Sequence, residues 1–267
     1  MEDSSTKKGW RAALTGNVLM LGLVSFFTDA SSEMIYPLMP VFIAGLAATP
    51  GGAAVALGLM EGIAESTASL LKLVAGHWSD KAGRRKPLTL LGYGVSTVCR
   101  PVMALAGAAW HVVPLRFLDR VGKGVRTAPR DALITESVSP EARGMAFSFH
   151  RAMDHAGAVA GAAMSALLLW AFLGYALWHG GHEKPSADEM SALRWVFALA
   201  LIPGLLAMVT LGWKVKEVAS QTAKKAPAAG GRLPGRFYGF LGVVTLFTLG
   251  NSSDLFLVLY GKTMFGL

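Results

Sequence analysis

The feature that most limits what this chain can fold into is a succession of apolar runs, centred on residues 18–27, 53–60, 88–98, 156–173, 195–211 and 237–248. Several extend to the roughly 20 residues that a helix needs to cross the hydrocarbon core of a bilayer. Charged residues make up 16% of the sequence against 53% hydrophobic, whereas soluble domains carry about a quarter charged residues. The expectation is an all-α integral membrane protein in contact with a lipid bilayer. The first run is too long for a signal peptide, and no small-residue cleavage site follows it. A single cysteine, Cys99, leaves no internal disulfide and no metal or redox motif, so no cofactor is expected.

The net charge of +8 could suit a nucleic-acid surface, but its placement argues otherwise. Basic residues gather at the N-terminus (Lys7, Lys8, Arg11), in 76–87 (Lys81, Arg84, Arg85, Lys86) and in 214–236 (Lys214, Lys216, Lys224, Lys225, Arg232, Arg236). The turn at 48–52 has no charge, and 174–192 holds one lysine. Lys and Arg mark cytoplasmic loops, so these two loops and the N-terminus are expected inside, with no nucleic-acid partner. Six spans are readable, at about 15–46, 53–75, 88–107, 145–173, 193–213 and 237–260. Both basic loops can be inside only if an even number of crossings separates them, and three are apparent. A fourth span must therefore hide in 110–133, where charges depress the hydropathy, giving seven crossings in all.

In that hidden span Arg116, Asp119, Lys123, Arg126 and Arg130 follow intervals of three and four, which places them on one helical stripe. A charge at the bilayer centre costs about 2.5–3.5 kcal/mol, so five cannot face lipid. They face a watery cavity or other helices, unless Arg126 and Arg130 already belong to a cytoplasmic loop. Asp29 and Glu33 in span one share a face four residues apart, as do Glu61 and Glu65 in span two, where Glu65 is the expected deeper member. Arg100 in span three is expected to snorkel outward. Span five carries two four-residue pairs, His150 with Asp154 and Arg151 with His155. No further His or Cys joins them at ligand spacing, so no metal site is expected. Gly157 and Gly161 read as a small-residue contact between helices.

Residues 76–86 have the form Gly-x-x-x-Asp-Lys-x-Gly-Arg-Arg-Lys between spans two and three. This resembles the signature loop of the major facilitator superfamily, with Gly76, Asp80, Gly83, Arg84 and Arg85 in the positions that loop requires. "RFLDRVGKG" resembles the fourth-helix motif more loosely, and "GAVAG" resembles the glycine-rich fifth helix without its proline. "FTDASSEMIYP", "RVGKGVRTAPRDAL" and "HRAMDHAGAVAG" are similar to a subgroup of bacterial permeases. The resemblance implies two six-helix halves: residues 1–213 as the first, 214–236 as a cytoplasmic joining loop, and 237–267 as the first helix of a second half that is largely missing. A weak internal repeat agrees, since Phe26 and Ser31-Ser32-Glu33 align with Phe247 and Ser252-Ser253-Asp254 at one offset.

The implied function is a proton-coupled secondary transporter of a small solute, working by alternating access in the bacterial inner membrane, and not an enzyme. Asp29, Glu33, Asp154 and His150 are the candidates for proton or cation coupling. Tyr36, Glu65, Arg116, Asp119, Lys123, Arg126 and Arg130 are the candidates for the cavity, with a fixed ion pair as the alternative role for each acid. Asp80, Arg84 and Arg85, with Gly76 and Gly83, would form a cytoplasmic gate that closes on a helix of the missing half. Two other functions are weighed: a truncated, non-transporting membrane partner, and a lipid-headgroup enzyme using Asp119, Asp131 and Arg126. Arginines outnumber aspartates on the stripe, which disfavours the enzyme. Acids on spans one and two offset the basic stripe, so the sequence leaves the charge of the solute open.

Overall fold

The computed structural model describes Trp10 and residues 12–175, 184–218 and 234–249. Lys7, Lys8 and Arg11, most of the joining segment, and the Ser252–Asp254 end of the expected seventh span lie outside the described residues. Among the described residues the regular structure is entirely helical.

α1 (Gly16–Glu33) starts at Thr15, whose hydroxyl accepts from the Val18 N–H. A 3-10 turn at Tyr36–Leu38 then leads into α2 (Met39–Leu46). Pro37 and Pro40 lack the N–H that a continuous helical ladder needs, so the first span bends between the two pieces. α3 (Pro50–Ala82) is capped by Thr49 and stops at Gly83, whose φ of 63° is left-handed and suits glycine. α4 (Lys86–Met103), α5 (Ala109–Glu136) and α6 (Arg143–Leu173) follow. α7 (Ala187–Leu199) opens with a capping box between Ser186 and Glu189. It continues through Ala200 into α8 (Leu201–Trp213), and α9 (Gly235–Leu249) begins the last described stretch.

Four stretches are long and apolar enough to cross a membrane: Gly16–Leu46, Pro50–Lys81, Pro140–Leu173 and Ala187–Trp213. They correspond to expected spans one, two, five and six. The boundary after span two needs correction. Residues 76–82, expected in the loop, continue α3, because nothing before Gly83 breaks the helical ladder, and the connection shrinks to Gly83–Arg85. α5 contains the whole of 110–133 as one 28-residue helix. At 1.5 Å per residue it is about 42 Å long, enough for a hydrocarbon core of about 30 Å.

α5 packs most heavily between α3 and α4, and α1 packs between α6 and α8. Glycines allow these approaches. A Cβ on Gly122 of α5 would sit 2.5 Å from the Gly92 carbonyl oxygen of α4, and one on Gly124 would sit 2.9 Å from the Ala68 carbonyl oxygen of α3. Gly157 and Gly161 of α6 likewise lie against the backbones of Phe26 and Ala30 on α1, with no room for a side chain.

Two apolar clusters bracket the bundle. One gathers Met34, Phe42, Leu57, Met103, Val112 and Phe197. The other gathers Val18, Leu21, Tyr93, Leu133, Ala146 and Leu211. On α1, α4, α5 and α6 the polar residues fall between these two sets along the chain, so the charges form a layer in the middle of the bundle.

Candidate functional site

That middle layer encloses a cavity of about 300 Å³. α1 and the turn after it supply Asp29, Ser32, Glu33 and Tyr36, and α4 supplies Arg100. α5 supplies Arg116, Asp119, Arg120, Lys123 and Arg126, and α6 supplies Arg151, Asp154, His155 and Ala158. Acids thus dominate the α1 wall and bases the α5 wall.

Asp119 organises the α5 wall. Its carboxylate accepts from Arg116 Nη1 at 3.1 Å and lies 3.5 Å from Arg100 Nε. All three side chains are almost fully buried. Arg100 also donates to the Thr28 carbonyl at 3.0 Å. It therefore points inward, against the expectation that it snorkels, because a buried partner and a carbonyl are both within reach. Arg116 lies 3.6 Å from Glu61 and 5.0 Å over the Tyr36 ring, and the Tyr36 hydroxyl donates to Glu61 at 3.2 Å. Arg126 donates to Ser96 Oγ at 2.6 Å and sits 4.5 Å over the Tyr93 ring. Ser96 in turn donates to the Asp119 carbonyl at 3.0 Å. Stripe residues Arg116, Asp119 and Arg126 are thereby drawn into one network.

Other sequence expectations fall differently. Arg130 is buried but pairs with its neighbour Asp131 at 2.8 Å and does not line the cavity. Of the span-two acids, Glu65 sits nearer the midpoint of α3, but it is Glu61 that is 14% exposed and joins the network, while Glu65 is 55% exposed and meets Arg120 at 3.5 Å. Arg120, four residues after Arg116 and three before Lys123, shares the same face and is missing from the expected stripe although the spacing reveals it. In α6 Arg151 pairs with Asp154 at 3.2 Å, not with His155. Asp154 also accepts the Ser25 hydroxyl and lies 3.6 Å from His150 Nδ1. His150 is 1% exposed, and its Nε2 has no hydrogen-bond partner among the described residues.

Asp29, Glu33 and Lys123 stand apart. Each is half-buried against the cavity. No ion pair within 4.0 Å reaches any of them among the described residues. The fixed pair of Asp29 with Arg126 or Lys123, weighed from the sequence, is not formed.

The signature segment lies at the end of the bundle that holds Gly83. Arg85 is buried and reaches Glu136 of α5 at 2.8 Å and Asp80 at 3.4 Å. Asp80 and Arg84 are exposed. A second cavity of about 280 Å³ there is lined by Gly76, Ser79, Asp80 and Arg85 together with Ala128, Ala132, Thr135 and Glu136. Past α8, Glu217 accepts from the Arg85 and Lys86 N–H groups at 2.9 Å each, a carboxylate where the α4 dipole favours one. Asn17 holds the adjacent Lys216 through both backbone groups, at 2.8 and 3.0 Å. These clasps join residues far apart in the chain, so no local signal announces them.

The sequence profile described as Major Facilitator Superfamily matches residues 21–267. An uncharacterised MFS-type transporter of Methanocaldococcus jannaschii is 34% identical over 248 residues, which is 92% of this chain and 56% of the relative. A multidrug resistance protein of Salmonella paratyphi C is 30% identical over 151 residues, 56% of this chain and 35% of the relative. In fold, the chain is similar to a bacterial homologue of the human lysosomal transporter Spinster, solved inward-facing and unoccupied. The TM-score is 0.58 at 19% identity, covering 87% of this chain and 48% of that one. The chain therefore spans about half the length of the proteins it matches over most of its own length.

Proposed function

Because the chain belongs to the Major Facilitator Superfamily and is a multi-pass membrane protein, we propose that it supplies the first half of a secondary transporter that moves a small solute in exchange for, or together with, protons. Residues 1–213 form that half, with the N-terminus on the cytoplasmic side of the inner membrane. Residues 214–236 join it to a second half that begins at 237–267. The solute enters the cavity between α1, α4, α5 and α6, and the two halves rock about it so that it opens to one side at a time.

The observation that carries this reading is a charged cavity midway along the helices in which the Asp29 and Glu33 carboxylates have no ion-pair partner among the described residues. Charge inside a membrane is expensive and marks ion and solute paths. Burial favours the protonated form of a carboxylate and a nearby guanidinium the ionised form, so a cavity whose neighbours change as it reopens can load and release a proton. Asp154 and His150, linked on α6, stand beside this path as a second proton-holding pair. Asp80, Arg84 and Arg85, with Gly76 and Gly83, form the gate on the cytoplasmic face.

The test uses proteoliposomes of the transporter with both halves present, loaded with a pH-sensitive dye and screened with small solutes across a pH gradient. A transported solute moves protons with it, and Asp29→Asn abolishes that movement while the unfolding transition is unchanged. Proton-linked uptake that survives Asp29→Asn refutes the coupling role, and uptake indifferent to the gradient refutes proton coupling altogether.

A further inference from the structure

The charges lining the cavity are sorted by wall, and they narrow the kind of solute it can hold. Half of them cancel locally: Arg100 and Arg116 with Asp119 and, outside the lining, Glu61, and Arg151 with Asp154. What is left on the α1 side is two carboxylates, Asp29 and Glu33, without an ion pair among the described residues. What is left on the α5 side is the Lys123 ammonium, the Arg126 guanidinium, which among the described residues meets only Ser96 Oγ and the Tyr93 ring, and a loosely held Arg120. The Glu65 partner of Arg120 is more than half exposed and 3.5 Å away, and Arg120 Nε has no acceptor among the described residues. The two walls face one another across the single cavity that Asp29, Glu33, Arg120 and Lys123 all line.

A solute that is only an anion would bring its charge against Asp29 and Glu33. One that is only a cation would meet Lys123 and Arg126. Like-charge contact of this kind is what excludes wrong partners. A solute with both charges meets a partner on each wall. The volume of about 300 Å³ is at the small end of ligand cavities.

We infer that the cavity binds a small two-ended solute, with an oxyanion held by Lys123 and Arg120 of α5 and an ammonium held by Asp29 and Glu33 of α1. The inference rests on the transporter reading and adds the class of substrate to it.

The test is calorimetric titration of the full chain in lipid nanodiscs with ω-amino carboxylates of two to seven methylenes. Straight-chain amines and carboxylates of matched length serve as single-charge controls. The best-fitting amino carboxylate should bind at least about tenfold more tightly than either control, the value of one charge-assisted hydrogen bond. Lys123→Gln should erase its advantage over the amine, and Asp29→Asn its advantage over the carboxylate. If Asp29→Asn does not fold, Glu33→Gln serves in its place. A carboxylate or an amine that binds as well as the amino carboxylate overturns the two-ended site and leaves the transporter reading intact. Binding by none of the probes overturns the site as well, and the transporter reading is then judged on the proteoliposome flux alone.

Discussion

Replacing Asp119 by Asn tests the network that keeps α5 inside the bundle. The substitution preserves size and removes one negative charge from between two buried guanidinium groups, Arg116 at 3.1 Å and Arg100 at 3.5 Å. Removing one member of a buried ion pair costs about 3–5 kcal/mol, because the remaining charge is stranded. Here the stranding is partial. Arg100 keeps the Thr28 carbonyl at 3.0 Å, and Arg116 keeps Glu61 at 3.6 Å and the Tyr36 ring. The loss is therefore placed at the lower end, about 3 kcal/mol, or some two decades in the unfolding equilibrium. Equilibrium unfolding in mixed SDS micelles, followed by tryptophan fluorescence, reads it directly. Adding Arg100→Gln completes a double-mutant cycle, and the pair should be non-additive by at least about 1 kcal/mol. An Asp119→Asn protein within about 0.5 kcal/mol of wild type, the range of ordinary surface changes, would refute the buried network.

Three further outcomes follow from the packing and the helix-end contacts. Gly157→Ala, whose Cβ would run into the Phe26 carbonyl of α1, should destabilise by about 1–3 kcal/mol. Gly144→Ala on the same helix, with open space around it, should be close to neutral in the same unfolding assay. Glu217→Gln weakens the carboxylate at the start of α4 and should speed amide hydrogen exchange at Arg85 and Lys86, while exchange in the middle of α5 stays unchanged.

The helical bundle was legible because apolar runs and loop charges obey the energetics of the bilayer one segment at a time. Even α5, too charged for a hydropathy window, could be found by counting crossings between basic loops. Its stripe was legible too, since three- and four-residue intervals fix a face. Burial and rotation were not legible, because they depend on neighbouring helices. Glu61 and Glu65 occupy one face of α3 at equal spacing, yet only Glu61 meets Arg116 and Tyr36. Arg100 turns inward because Asp119, 19 positions further along, is packed against it by the Gly92–Gly122 crossing. The end of α3 was misplaced because a basic, loop-like composition continued on a helix until Gly83 offered a left-handed residue.

The passage of α5 through the membrane is tested most directly by single-cysteine labelling at Gly107 and at Arg143, both exposed and on either side of the helix. With Cys99 replaced by Ser, a membrane-impermeant maleimide applied to intact right-side-out vesicles should modify Gly107→Cys and spare Arg143→Cys, with the reverse in inverted vesicles. Labelling of both positions from one side would mean that α5 does not cross, and the charged cavity between α1 and α5 could not then serve a transmembrane path.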